Sequence, residues 1–158
     1  MKAILIIDHG STRPEANAML PCMANLVQHL VGDDALVRYA HMELAEPSIA
    51  RGFADCVEAG ADEIIAFPYM LSPGKHSVRD IPRLVAEAAA AHQGVQYRVT
   101  PAFGVHEKLG ELILSRAGLA VRHPLSGADA VCCWDSARSA TACGDACRLK
   151  GAEALVIS

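Results

Sequence analysis

The sequence predicts an α/β domain, a three-layer sandwich around a four-stranded parallel sheet in the flavodoxin-like order 2-1-3-4. Three observations carry this. Apolar runs of strand length alternate four times with amphipathic stretches of helical period, and repeated β-α units with short linkers give a parallel sheet with right-handed crossovers. The first run, Lys2 to Asp8, is almost uninterruptedly apolar, as expected of a strand covered on both faces. The first and third runs both give way to polar, glycine-containing loops that carry a histidine, as loops at one functional sheet edge do.

The elements follow in order. After the first strand come His9, Gly10, Ser11 and Thr12; Thr12 with Glu15 spells a capping box, and Pro14 suits a first helical turn. The helix is expected to bury Ala16, Leu20, Met23, Val27 and Leu30, with a kink or a late start at Pro21, which cannot donate to the Asn17 carbonyl. Ala35 to Met42 is the second strand, with Glu43 and Glu46 just beyond it. Pro47 opens a helix that buries Ile49, Phe53, Cys56 and Val57 and stops at Gly60. Ile64 to Phe67 is the third strand. It ends at Pro68, and the loop through Pro73 and Gly74 delivers His76 at the foot of the next helix. There Ser77 and Asp80 offer capping chemistry, and Val78, Ile81, Val85 and Ala88 form the expected buried stripe. Val95 to Thr100 is the fourth strand. Pro101 to Val105 leads into a last helix with Leu109, Leu112 and Ile113 inward.

Composition bounds the partners. The chain has 158 residues, 52% hydrophobic and 20% charged, enough for one domain with a substantial core and an appendage. A net charge of -4 argues against nucleic acid. No run reaches membrane-span length, and MKAILIID meets an aspartate too soon for a signal peptide, so a cytoplasmic protein is expected. The six cysteines are then thiols or metal ligands, not disulfides. Cys22 and Cys56 fall on helix faces read as core. Glycine and proline between Gly118 and Gly127 mark a linker. The expected organisation is therefore a domain over 1–120 and a linker with a cysteine-rich extension over 121–158.

In the order 2-1-3-4, strands one and three are neighbours from which the chain departs in opposite directions, and their loops part to form the ligand crevice. That places His9 and His76 at one crevice, beside Glu43 and Glu46. Two imidazoles with a carboxylate suit cobalt, iron or nickel as divalent ions. Ser11, Thr12, Arg13, Ser72, Gly74, Lys75 and Ser77 supply donors and backbone N–H groups beside helix N-termini, which suits an anionic ligand. A polycarboxylate that receives a metal satisfies both features; a phosphate satisfies the second.

The segments DHGSTRPEAN, LAEPSI and PYMLSPGKH with DIP occur in this order, and the chain resembles the short CbiX/SirB-type class II chelatases over residues 1–117. The resemblance implies a chelatase-like α/β sandwich and insertion of cobalt or iron into sirohydrochlorin. It also implies a homodimer standing in for the two halves of longer duplicated relatives, and metal handling by His9 and His76, assisted by Glu43 or Glu46. Cys132, Cys133, Cys143 and Cys147 lie beyond that core. Their spacing is not a standard zinc pattern. They either pack as small apolar residues or hold a [2Fe-2S] cluster, as the cysteine-rich end of plant-type relatives implies. Trp134 reads as packing; His29, His41, His92 and His123 as structural or surface residues; and His106, at the start of the last helix, as a further surface residue with the cleft as its alternative place. Two other readings use the same residues: a non-catalytic metal or tetrapyrrole carrier, and a histidine phosphatase. The phosphatase needs an arginine before the His-Gly pair, where this chain has Asp8.

Overall fold

Four parallel strands form one sheet in the order β2-β1-β3-β4, the order expected. The structure is a computed structural model and describes residues 1–125; Cys132, Cys133, Trp134, Cys143 and Cys147 lie outside the described residues. The elements are β1 (Lys2–Asp8), α1 (Pro14–Asn17), α2 (Met19–Val31), β2 (Leu36–His41), α3 (Ile49–Glu58), β3 (Glu63–Pro68), a π-helical turn (His76–Asp80), α4 (Ile81–Ala90), β4 (Gln96–Val99) and α5 (Glu107–Arg116). They fall into two compact units, Met1–Phe103 and a second that begins at Gly104. Among the described residues no helix is long and apolar enough to cross a membrane.

β1 is the central strand, paired in parallel with β2 from Ala3↔Leu36 to Asp8↔His41 and with β3 from Lys2↔Glu63 to Ile7↔Pro68. Because side chains alternate across a strand, β1 feeds two cores at once. Ala3, Leu5 and Ile7 pack with Ala40, Ile64 and Ala66 under α3 and α4, which add Ile49, Phe53, Cys56, Ile81 and Val85. Ile6 packs with Val37 under Leu20 and Ala24 of α2, with Ile4, Val27 and Val31 at its margin. The layers are thus α2, sheet, and α3 with α4. Each fully buried Leu, Ile or Phe contributes on the order of 2 kcal/mol, so the α3/α4 face carries most of the stabilisation. Gly52 lets α3 lie close against the sheet, since a Cβ there would meet Ala40 Cβ and Leu5 Cδ1 at 3.0 Å.

Several local expectations are corrected. The Thr12–Glu15 capping box does not form: Arg13 is the N-cap of α1 and no side chain caps it. The Ser11 hydroxyl instead accepts from the Arg13 N–H, and the Asn17 amide both accepts from the Ser11 N–H and donates to the Ser11 carbonyl. The break falls between Asn17 and Met19, so Pro21 lands in the first turn of α2, where no N–H is needed. α2 buries Leu20 and Ala24, whereas Leu30 is 73% exposed and Ala16 and Cys22 are exposed as well. The helix carries apolar residues on two stripes, and the one holding Cys22, Leu26 and Leu30 faces away from the sheet. Cys56 is core as expected, and burial pushes its thiol up to about 12, Arg38 opposing and Asp55 adding to the rise. Val78 is 67% exposed, because the π turn widens the backbone before α4 and rotates this residue off the stripe that Ile81, Val85, Ala88 and Ala89 continue. α5 buries none of its residues, and Leu112 and Ile113 are exposed. His106 caps that helix, its Nδ1 accepting from the Lys108 N–H.

Candidate metal-transfer site

The site lies at the carboxyl edge of the sheet, where the three loops after β1, β2 and β3 meet. Backbone pairing continues past the strands: the Met42 N–H donates to the Asp8 carbonyl and the Glu43 N–H to the His9 carbonyl, at 2.9 and 3.1 Å. This brings the His9 and Glu43 loops into register. Gly10 makes the approach feasible. Its φ is +81°, and a Cβ there would sit 2.0 Å from the Glu43 carbonyl oxygen.

The two histidines expected to share a crevice do so. The His9 and His76 ring centroids are 5.0 Å apart, edge to face. Both rings are close to half exposed, at 42% and 45%, open to a ligand above the sheet edge. Glu43 joins them, with Oε1 2.9 Å from His9 Nε2. Glu46 does not. Its carboxylate accepts from the Ser48 N–H at 2.7 Å and lines a groove of about 430 Å³ on the far side of the β1 loop with Ser11, Thr12, Asn17, Tyr39 and His41, without His9, His76 or Glu43. Spacing alone left the two glutamates equivalent; the structure separates them.

The hydrogen bonds set what each imidazole can do. His9 Nδ1 lies 3.1 Å from the Gly10 carbonyl oxygen, so with Glu43 at Nε2 both ring nitrogens face acceptors. A neutral imidazole donates only one hydrogen bond, so its single N–H serves one of these two acceptors at a time. His76 differs. Its Nδ1 lies 2.9 Å from Asp80 Oδ2, so the carboxylate accepts from Nδ1–H and the Nε2 lone pair is left for a cation. Burial works to raise the Asp80 carboxyl, but hydrogen bonds from Arg79 and His76 and the charges of Arg79 and Lys75 outweigh it and hold the group below the usual carboxylate range. Among the described residues no group of three or more His, Cys, Asp or Glu side chains is placed to hold a metal ion; His9, His76 and Glu43 meet in pairs.

Of the expected anion donors, Thr12, Arg13, Ser72, Gly74 and Lys75 are exposed and Ser11 is half-buried. Ser77 is corrected: it is buried, and its hydroxyl accepts from the Gly74 N–H at 2.9 Å while lying 3.2 Å from the Gly74 carbonyl, so it shapes the loop and has no donor to spare. Asp80 is also corrected, since it caps nothing and binds His76. Three residues were not recognised from sequence as parts of the site. Asp8 accepts at Oδ1 from the Gly10 N–H at 2.9 Å and from His41 Nδ1 at 2.6 Å. His41, fully buried, thereby ties the end of β2 to the His9 loop. Asp80 is the third. Its spacing of four from His76 was the available signal, and it fits capping equally well.

Fold and site together define a parallel α/β domain that presents two imidazoles and a carboxylate at the carboxyl edge of its sheet. The chain belongs to the CbiX family, whose pattern matches residues 3–119. It is 40% identical over 126 residues to a chloroplastic sirohydrochlorin ferrochelatase of Arabidopsis thaliana, covering 80% of this chain and 56% of that protein. It is 31% identical over 116 residues to a sirohydrochlorin cobaltochelatase of Priestia megaterium, covering 73% and 37%. Among solved structures, the sirohydrochlorin chelatase SirB of Bacillus subtilis subspecies spizizenii in complex with cobalt superposes with a TM-score of 0.68 at 27% identity, covering 74% of this chain and 50% of that one. The matched part thus spans between about a third and three fifths of these relatives.

Proposed function

We propose that this protein inserts a divalent metal ion, cobalt or iron, into sirohydrochlorin, supplying cobalamin or siroheme synthesis respectively. The observation that carries the reading is the pairing of His9 with His76 at 5.0 Å and with Glu43 at 2.9 Å. Insertion exchanges one dication for two pyrrole N–H protons, so the enzyme must release a metal and accept protons at nearly the same place. His76 Nε2 offers a lone pair to the metal. Once the metal passes to the macrocycle, the two pyrrole protons need two bases: the His9–Glu43 pair takes one, and His76 Nε2, vacated by the metal, takes the other. Exposed Thr12, Arg13, Ser72 and Lys75 are the donors for the peripheral carboxylates of the substrate, and Arg13 and Lys75 do so as charges.

The test follows the absorbance of sirohydrochlorin with cobalt or iron and purified, anaerobically prepared protein. Many turnovers per protein support the proposal; a stoichiometric change makes the protein a carrier and overturns it, as does no change. Within this reading Glu43 is the assisting carboxylate. Glu43→Gln is expected to lower turnover by about 10- to 100-fold, the range for a group that tunes a metal-binding imidazole. Glu46→Gln, whose amide oxygen still accepts from Ser48 N–H, is expected to stay within about threefold, and equal losses would remove the distinction.

The active form is proposed to be a homodimer. One four-stranded layer presents its two histidines at an open edge, and a second copy would enclose the macrocycle. Sedimentation should find a dimer at working concentration; an active monomer would rule it out. Cys132, Cys133, Cys143 and Cys147, read either as packing residues or as ligands of a [2Fe-2S] cluster, lie outside the described residues and enter no step of this reaction.

A further inference from the structure

We propose that Asp80 is a positioning residue for metal transfer, fixing His76 as the Nδ1–H tautomer with its ring held edge to face with His9. The inference rests on the chelatase reading for its link to turnover, but its structural core does not. Three observations carry it. First, the π turn runs straight into α4 and Asp80 has helical backbone, so there is no helix end at this position for its carboxylate to cap. Second, both of its oxygens are committed: Oδ2 to His76 Nδ1 at 2.9 Å and Oδ1 to Arg79 Nε at 3.2 Å. A carboxylate held at both oxygens cannot swing, and so sets the plane of the ring it binds. Third, the pair is built on a π-helical turn, in which the Ile81 N–H reaches back to the His76 carbonyl. This rare geometry concentrates at functional sites. Here it keeps positions 76 and 80 on one face while turning the exposed Val78 outward.

The consequence is specific. A free neutral imidazole exchanges its proton between the two nitrogens, and a metal finds a lone pair on Nε2 only part of the time. With Nδ1–H donated to Asp80, Nε2 is always the lone-pair nitrogen. The ring also faces His9 before any metal arrives. Loss of Asp80 should therefore weaken capture of the metal more than binding of the macrocycle.

The experiment uses the full chain with two readouts. Nitrogen-15 NMR of the imidazoles at about pH 8, where a free imidazole is neutral, should show His76 in the wild type as the Nδ1–H tautomer. Asp80→Ala should shift it to the Nε2–H form or a mixture. In steady-state assays with cobalt, Asp80→Ala should raise the KM for metal by about 10- to 100-fold, with a much smaller change in the KM for sirohydrochlorin. Asp80→Asn, whose amide oxygen still accepts from Nδ1–H, should recover most of the tautomer and part of the KM. A wild-type His76 in the Nε2–H form overturns the proposal, and that measurement needs no variant to fold. An unchanged KM for cobalt in Asp80→Ala overturns it too. If the wild type shows the expected tautomer but no chelation, the chelatase reading fails while the assigned geometry stands.

Discussion

His9→Ala and His76→Ala are each expected to reduce metal insertion by at least about 100-fold, the scale for losing a group that carries a proton or a metal at the reacting centre. Both rings sit in loops and are close to half exposed, so neither supports a core. Thermal midpoints should change little, as substitutions outside packed regions usually stay within about 0.5 kcal/mol. The two losses should differ in kind. His9→Ala frees Glu43 from its imidazole partner and removes the shared proton site, whereas His76→Ala leaves Asp80 paired with Arg79 and removes a lone pair. Weak cobalt binding should therefore persist better in the first. Near-wild-type turnover in both variants, with the fold intact by circular dichroism, would sink the assignment of this crevice.

Legibility followed the range of the interactions. β1 is readable because five adjacent residues, Ala3 to Ile7, alternate between two apolar layers, a signal wholly contained in the strand. The order β2-β1-β3-β4 followed from connection rules, and from it came the meeting of His9 and His76. α2 defeated the same logic. Its sequence carries apolar residues on two stripes, and periodicity gives the spacing of a stripe but not which one meets the sheet; Leu30 and Cys22 fit a buried stripe by spacing and yet are exposed. Val78 failed for another reason, since a π turn leaves no periodic trace until the next helix starts. Asp8, His41 and Asp80 escaped because each acts through a partner fixed only by the folded geometry, and a carboxylate four residues from a histidine has several local uses.

Gly10→Ala is expected to remove most activity and to cost about 2–4 kcal/mol of stability, from a strained left-handed backbone together with a steric overlap. Gly10 has φ +81°, and an added Cβ would stand 2.0 Å from the Glu43 carbonyl oxygen and 3.1 Å from His41 Cβ. The first neighbour is backbone and the second belongs to a buried side chain held by Asp8, so neither can swing aside. Relief must come from parting the loops after β1 and β2. That breaks the Glu43 N–H bond to the His9 carbonyl, 3.1 Å long, and draws Glu43 away from His9 Nε2. Stability and chemistry should therefore fall together, unlike the histidine variants, which lose activity alone. Gly74→Ala is the control for stability, because a Cβ there meets nothing within 4 Å, and its urea midpoint should stay close to wild type. A Gly10→Ala protein with an unshifted midpoint and full turnover would mean that the close approach of these two loops is not what holds His9 against Glu43.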